Sequence, residues 1–178
     1  SFGNAKGTGG PSATGVIGYA KPDYLYADKV IIVTDNLIDL PCWPMEIEGN
    51  YVDCVVVVDK IGLPEKIVSG TTQITKSPDR LLIAELTTLF LEKSGLLRDG
   101  ATMQAGAGGT SLAIAVYVHQ LLKKKGWKLS FGFGGSTKYM VDMLEEGHMG
   151  YILDAQAFDL DSVKSVEKNL NHIQYPVF

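Results

Sequence analysis

The segment of this chain best suited to chemistry is a glycine-rich run, Met103-Gln104-Ala105-Gly106-Ala107-Gly108-Gly109-Thr110-Ser111. It falls between a predicted strand and a predicted helix, where bare backbone amides and the positive helix end attract an anion or a developing oxyanion. We therefore predict catalytic roles for Gln104, Gly108 and Gly109, and ligand binding by Gly106, Thr110 and Ser111. A tight turn whose glycines only ease chain reversal is the alternative.

A second glycine-rich run, Gly132-Phe133-Gly134-Gly135-Ser136-Thr137, has the same placement. The carboxyl ends of parallel strands share one edge of a sheet, and ligands usually bind there. Two such turns on neighbouring strands could face one pocket. We predict that Gly132, Gly134 and Gly135 contribute to binding.

Neither run is a nucleotide-binding motif. Ser111 stands where a dinucleotide fingerprint needs its third glycine, and the strand that follows lacks the expected acidic residue. No Gly-Lys-Ser or Gly-Lys-Thr occurs, so a phosphate-binding loop of the Walker type is absent.

A third polar segment, 169–172, contains Asn171 and His172 near the carboxyl terminus. Amides and an imidazole together suit recognition of a carboxylate, so we include Asn171 and His172 among the candidate binding residues. A polar surface loop is the alternative.

The remaining polar residues favour structural roles. We expect His119 to be a satisfied core residue within a helix, and His148 to cap a helix or face water. Asp154 and Asp159 are typical of strand-end and cap residues. No Ser-His-Asp or Cys-His arrangement stands out, and no cluster has metal-ligand spacing, so we predict no metal site.

Composition indicates a folded chain that does not bind nucleic acid. Of 178 residues 46% are hydrophobic and 20% charged, and the net charge of -4 opposes phosphate binding. The basic run 123–125 is typical of a solvated helix end. No apolar run approaches the roughly 20 residues that span a bilayer, which makes the cytoplasm the default location. Cys54, in an apolar run, is predicted to be a buried thiol.

Hydrophobic periodicity predicts alternating strands and helices. Strands are expected at 29–34, 52–59, 66–69, 101–104, 128–133 and 151–154, and helices from 77 to about 95, at 110–125 and at 136–146. The first of these helices begins at Ser77-Pro78, and its leucines, with Phe90, repeat at helical spacing. This order predicts an α/β fold with a parallel sheet covered by helices on both faces. A domain boundary is expected near 71–75.

The chain resembles CoA-transferases, and within them the alpha subunits of citrate lyase. The stretch from 77 to 116 is similar to the entry of the second CoA-transferase domain, with a helix, Asp99-Gly100-x-x-Met103-Gln104 and the glycine run. Further likeness lies in FGNAKG, GYAK, TKSPDRLLIA, MVDMLEEG, LDAQAFD and NLNHI. This resemblance implies an internal portion of a two-domain tandem, with 1–74 ending the first domain and 75–178 beginning the second.

The resemblance also implies an activity and partners. Such enzymes exchange the acyl group of a thioester with a free carboxylate. Citrate and an acetyl thioester (on acyl carrier protein or CoA) would give a citryl thioester and acetate. A prosthetic group of the dephospho-CoA type would be presented by the acyl carrier protein, the gamma subunit, and the beta subunit would be the lyase. Magnesium belongs to the lyase, so no metal is implied here.

One departure from the wider family concerns its nucleophilic glutamate. Aligning the helix that contains MVDMLEEG places Gly134 at or near the glutamate's position, and a glycine cannot be a nucleophile. The resemblance to citrate lyase therefore implies direct transfer through a mixed anhydride of the two acyl groups. A ligand-sensing domain on the same superfold is the alternative, and a sugar-phosphate isomerase is more distant. No basic DNA-reading segment or general base near the turns supports these two.

Overall fold

A computed structural model describes residues 3–11, 13–39, 41–63 and 72–175. Its helices and strands alternate along the chain, apart from one short 3₁₀ helix at Gly49–Tyr51. In chain order they are α1 (Ala20–Tyr26), β1 (Ile31–Thr34), β2 (Cys54–Val57), α2 (Pro78–Lys93), β3 (Thr102–Met103), α3 (Gly109–Lys125), β4 (Leu129–Ser136), α4 (Lys138–Glu145), β5 (Met149–Ala157), α5 (Leu160–Lys168) and β6 (His172–Gln174).

The strands form two parallel sheets, which confirms the predicted α/β class. One sheet pairs β1 with β2, and the other has the order β3-β4-β5-β6. The sheets fall on either side of the predicted boundary, although whether that boundary separates two domains stays a prediction. The expected strand at 66–69 lies outside the described residues.

Within residues 72–175 the crossover helices of the larger sheet lie side by side on one face, whereas helices on both faces were predicted. Helix α3 packs against α4, and α4 packs against α5. Consecutive strands are neighbours in this sheet, and right-handed crossovers in a constant direction put every helix on the same face. The opposite face carries half-exposed side chains such as Tyr151, Ile173 and Tyr175.

The main core lies between the larger sheet and its helix layer. Leu122 of α3, Leu129 of β4, Met140 of α4 and Ile152 of β5 are fully buried there. Burying an aliphatic side chain of this size contributes about 1.5–3 kcal/mol to folding. This core fixes how the strand ends meet the helix starts.

The ends of these helices follow simple rules. Helix α3 ends at Gly126 in the left-handed conformation, with φ of 67°. The basic run 123–125 occupies its last turn, as predicted. Asp159 caps α5, as predicted, because its carboxylate accepts a hydrogen bond from Ser162 N at 2.9 Å. It also accepts one from Lys138 N at 2.7 Å, at the start of α4.

Helix α2 forms as predicted but packs through small side chains. Its buried residues are Ala84 and Thr88, and the helix lies against α3. The large apolar residues at helical spacing are instead half-exposed or more, namely Leu82, Ile83, Leu86, Leu89 and Phe90. None of the described helices is long and apolar enough to cross a membrane.

The prediction that Cys54 is buried is wrong. Cys54 is exposed at the start of β2, whereas Cys42, in the preceding loop, is 5% exposed. An apolar run predicts a strand, but β2 belongs to a two-stranded sheet with Val56 and Val57 also exposed. The sequence pattern alone cannot tell whether a strand of this kind is covered.

Replacement of Leu122 by alanine tests the position of the core. Leu122 is 0% exposed, so Leu122→Ala removes buried methyl groups and leaves a cavity. We expect a loss of about 2–5 kcal/mol in the free energy of unfolding, measured by urea denaturation. The control Leu82→Ala, at a side chain 53% exposed, is expected to change it by less than about 0.5 kcal/mol. Equal losses in the two variants would contradict this assignment of the core.

Candidate functional site

The first glycine turn connects β3 to α3 at the carboxyl edge of the larger sheet, as predicted. The first backbone hydrogen bond of α3 runs from Leu112 N to Gly108 O, at 2.9 Å. The amides of Gly109, Thr110 and Ser111 precede this bond, so they have no partner within the helix. Together with the helix dipole, they form a region of positive potential suited to an anion.

The second glycine turn lies directly beside the first, because β3 pairs with β4. A Cβ added at Gly134 would lie 2.8 Å from Nε2 of Gln104, so the glutamine side chain occupies the space next to this glycine. Gly134 has φ of +99°, a conformation that disfavours other residues. The structure thus brings together Gln104 and Gly134, which the sequence separates by 30 positions.

The two glycines at the start of α3 differ in their surroundings. A Cβ at Gly108 would meet nothing within 4 Å, and its backbone is extended, so this position tolerates a side chain. A Cβ at Gly109 would lie 2.9 Å from Thr75 N and 3.0 Å from Gln73 O. Thr75 N also donates to Gly109 O at 3.1 Å. Gly109 is therefore constrained by packing, and only Gly108 can be altered without disturbing the backbone.

The other two candidate glycines of β4 face packed side chains. A Cβ at Gly132 would lie 2.4 Å from Met140 Cε, and one at Gly135 would lie 2.0 Å from the Phe158 ring. The predicted turn at 132–137 is also mostly strand, since β4 continues to Ser136 with a register shift between Gly134 and Gly135. These contacts assign Gly132 and Gly135 packing roles.

A buried polar cluster underlies the carboxyl ends of β4 and β5. Asp154 is 0% exposed, and its Oδ2 accepts a hydrogen bond from Ser136 Oγ at 2.6 Å. His172 Nε2 lies 3.0 Å from the same oxygen, and Oδ1 accepts from Gln156 N at 3.0 Å. The predicted strand-end role of Asp154 is thus more specific: its carboxylate joins three adjacent strands.

Asn171 and His172 do not reach the glycine turns. Gly134 pairs with Asp154, and Asp154 pairs with Gln174, so Gln174 is the residue of β6 level with Gly134. Asn171 comes three residues earlier, about 10 Å along the strand. His172 is 3% exposed and faces Asp154. Both residues therefore lie apart from the first glycine turn, and their contribution to ligand binding stays a prediction.

A segment near the amino terminus completes the carboxyl edge and was not predicted. Gly18 N donates to Ala155 O at 3.0 Å, and Ile17 forms an antiparallel bridge with Gln156. This segment and the end of β5 line an open cavity of about 520 Å³. Glu46 anchors the segment by accepting from Ile17 N at 2.7 Å. Its signals in the sequence are the glycine content of the first 18 residues and the likeness of FGNAKG and GYAK to the family.

His119 differs from its predicted role, whereas His148 caps the end of α4 as predicted, because its backbone N donates to Met143 O at 2.8 Å. His119 is half-buried, but its Nε2 makes no hydrogen bond, so it is not a satisfied core residue. His148 is half-buried as well, with Nδ1 3.1 Å from Trp127 O. The two rings lie 5.5 Å apart, near Glu146. His119 is in the last half of α3 and His148 immediately precedes β5, at the amino edge of the sheet and away from the glycine turns.

The chain matches known proteins over nearly its whole length. A family model described as "Citrate lyase, alpha subunit" matches residues 1–176. The citrate lyase alpha chain of Klebsiella pneumoniae is 39% identical over 173 residues, covering 97% of this chain and 34% of that protein. The corresponding protein of Escherichia coli K12 is 38% identical, with the same coverage. The chain thus spans about one third of the length of these relatives.

Solved structures give the same result. An alpha subunit of citrate lyase from Streptococcus mutans, in complex with citrate, has a TM-score of 0.88 and 43% identity, and the match covers 98% of this chain and 34% of that one. The alpha subunit of a malonate decarboxylase from Acinetobacter baumannii has a TM-score of 0.60 at 18% identity, with 97% and 32% covered, and supports the fold alone.

Removal of the Asp154 carboxylate tests the buried cluster. Asp154→Ala leaves Ser136 and His172 buried without their partner, so we expect at least about 3 kcal/mol of lost stability in chemical denaturation. The matched control is Asp161→Ala, at an exposed aspartate in the first turn of α5, for which about 1 kcal/mol or less is expected. A stability loss no larger than that of the control would show that the cluster does not hold the strands.

Proposed function

The chain belongs to the citrate lyase alpha subunit family, and from this premise we propose that it forms part of a citrate CoA-transferase. The proposed reaction exchanges the acetyl group of an acetyl thioester for citrate. Its products are a citryl thioester and acetate. The observation that carries the proposal is the edge formed by the two glycine turns, where Gln104 lies against Gly134 and the first amides of α3 have no partner within the helix.

The proposed chemistry consists of two acyl substitutions. A carboxylate oxygen of citrate attacks the acetyl carbonyl. The C–S bond then breaks, which releases the thiolate and forms a mixed anhydride of the acetyl and citryl groups. The thiolate then attacks the citryl carbonyl of that anhydride, and acetate departs. Each substitution passes through a tetrahedral oxyanion, so donors placed at that oxygen lower both barriers.

The residues that suit this task come from the first turn. The amides of Gly109, Thr110 and Ser111 lack partners within α3, and the exposed Gln104 carries a side-chain amide donor. Gly106 and Gly108 are exposed, which lets a ligand approach the backbone closely. A single oxyanion donor is worth about 2.7–4 kcal/mol of barrier where such donors have been removed.

Direct transfer is proposed because the turn offers no free carboxylate. Gly134 has no side chain, and Gln104 fills the space beside it. The carboxylate nearest along the sheet is Asp154, which pairs with Gly134 in register but is fully buried and hydrogen-bonded to Ser136. A carboxylate in this state cannot attack a thioester. Asp142, Glu145 and Glu146 lie on α4 or at its far end, towards the opposite edge.

The proposed partners follow from the family. The thioester would be carried on a prosthetic group of the dephospho-CoA type, presented by the acyl carrier protein, the gamma subunit. The beta subunit would cleave the citryl thioester. Binding of citrate is supported by the related Streptococcus mutans protein, whose structure contains it. We place this complex in the cytoplasm.

Substitution of Gly108 tests the role of the first turn. Gly108→Leu adds a side chain where the protein leaves open space, so the fold is retained while the approach to the amides is blocked. In the full-length enzyme we expect transferase activity, measured as citrate-dependent release of acetate, to fall about 100-fold or more. Thermal denaturation should show near-normal stability.

Gly62→Leu is the matched control, because a Cβ at Gly62 also meets nothing within 4 Å and Gly62 belongs to neither turn. Full activity in folded Gly108→Leu would contradict the proposed site. Citrate binding by the unaltered protein without any exchange would favour a ligand-sensing domain instead.

Direct transfer predicts that no acyl group is attached to the protein. The full-length enzyme, quenched during turnover with acetyl thioester and citrate, should yield only unmodified Asp and Glu peptides by mass spectrometry. Initial rates should require both substrates bound together and should not follow a ping-pong pattern. An acyl or thioester adduct on any carboxylate of this chain would overturn the mechanism.

A further inference from the structure

We propose that His119, Glu146 and His148 form a binding site for a divalent cation of the zinc class. One potential ligand atom from each residue lies within 4.8 Å of the other two. His119 is in the last half of α3, Glu146 caps the end of α4, and His148 immediately precedes β5. The site therefore joins two helices and a strand at the amino edge of the larger sheet.

His148 has the hydrogen bond that orients a metal-binding imidazole. Its Nδ1 lies 3.1 Å from the carbonyl oxygen of Trp127. A carbonyl only accepts hydrogen bonds, so Nδ1 carries a proton, and the lone pair of the neutral ring is on Nε2. Histidine ligands commonly donate their second nitrogen to a backbone carbonyl in this way.

His119 carries a buried nitrogen that lacks a partner. Its Nε2 is inaccessible, makes no hydrogen bond, and lies 3.4 Å from Oε2 of Glu146. Leaving a buried polar atom unpaired is costly, and a cation would satisfy it.

Glu146 supplies the anionic ligand, although in this structure its carboxylate is paired with the Lys123 ammonium. The Lys123 ammonium forms an ion pair with Oε2 of Glu146, and this contact lowers the pKa of the carboxyl group. Both side chains are 47% exposed, so Lys123 can turn into solvent and Glu146 can rotate towards the histidines. Tetrahedral zinc needs ligand atoms about 3.3 Å apart, which requires only such local adjustment.

The ligand set determines the class of cation. Two imidazoles and one carboxylate suit zinc and its neighbours in the first transition row, whereas magnesium and calcium prefer oxygen ligands. Three protein ligands leave a fourth position for water. The amino edge is remote from the glycine turns, so the cation would link α3 to β5 and is not assigned to acyl transfer.

The test is zinc binding by metal-free full-length protein, measured by competition with a chromophoric chelator. We expect one zinc bound per chain at this site and a raised melting temperature when zinc is added. Glu146→Gln and His148→Ala should each weaken zinc binding at least about tenfold. Glu145→Gln, at the adjacent exposed carboxylate, is the matched control and should leave the affinity unchanged.

Lys123→Met is expected to strengthen zinc binding, in contrast to the variants of the ligands. Removing the competing ammonium should tighten zinc binding, whereas a purely structural role of the ion pair predicts no gain. Cobalt(II) added to the metal-free protein should give the visible absorption of a tetrahedral complex, and Glu146→Gln should abolish it. No zinc binding, or equal affinity in Glu146→Gln, His148→Ala and the unaltered protein, would overturn the proposal irrespective of transferase activity.

Discussion

The larger sheet depends on β4, a strand in which three of the last five residues are glycines. In β4, three glycines leave space that their neighbours fill: Met140 beside Gly132, Gln104 beside Gly134 and Phe158 beside Gly135. A Cβ at any of these positions would lie closer than 3.0 Å to an atom of that neighbour. At Gly135 the overlap is with the rigid Phe158 ring, which close packing cannot absorb. Met140 and Gln104 meet Gly132 and Gly134 through the ends of flexible side chains, so a Cβ at either glycine would displace those ends.

This packing constraint has a chemical consequence. The resemblance to CoA-transferases implies a nucleophilic glutamate at or near position 134, whereas Gly134 has a positive φ and a glutamine amide next to it. The glycine at position 134 thus has two effects: it lets the Gln104 side chain pack against β4, and it leaves this position without a nucleophile. The turn can offer backbone amides and the Gln104 side chain, which favours a site that positions and stabilises over one that reacts covalently.

The polar groups behind this edge serve the architecture. Asp154 lies opposite Gly134, yet its carboxylate is bonded to Ser136 and close to His172, and all three side chains are buried. A buried carboxylate is tolerated only where its oxygens are satisfied, so Asp154 fixes how β4, β5 and β6 meet. The histidine and glutamate cluster lies at the opposite edge, which separates the proposed cation site from the proposed transfer site.

The sequence by itself determined the fold class, the strands and helices that flank the first glycine turn, and the family. Those features depend on local periodicity and on residues that are neighbours in the chain, such as Gly108 before α3 and Gly126 after it. Tertiary structure alone decided which side chains are buried. Cys54 and the leucines of α2 are exposed, and the helices of the larger sheet lie on one face. It also brought Gln104 to Gly134 and His119 to His148, because contacts between distant residues depend on strand register and helix packing, which no local pattern encodes.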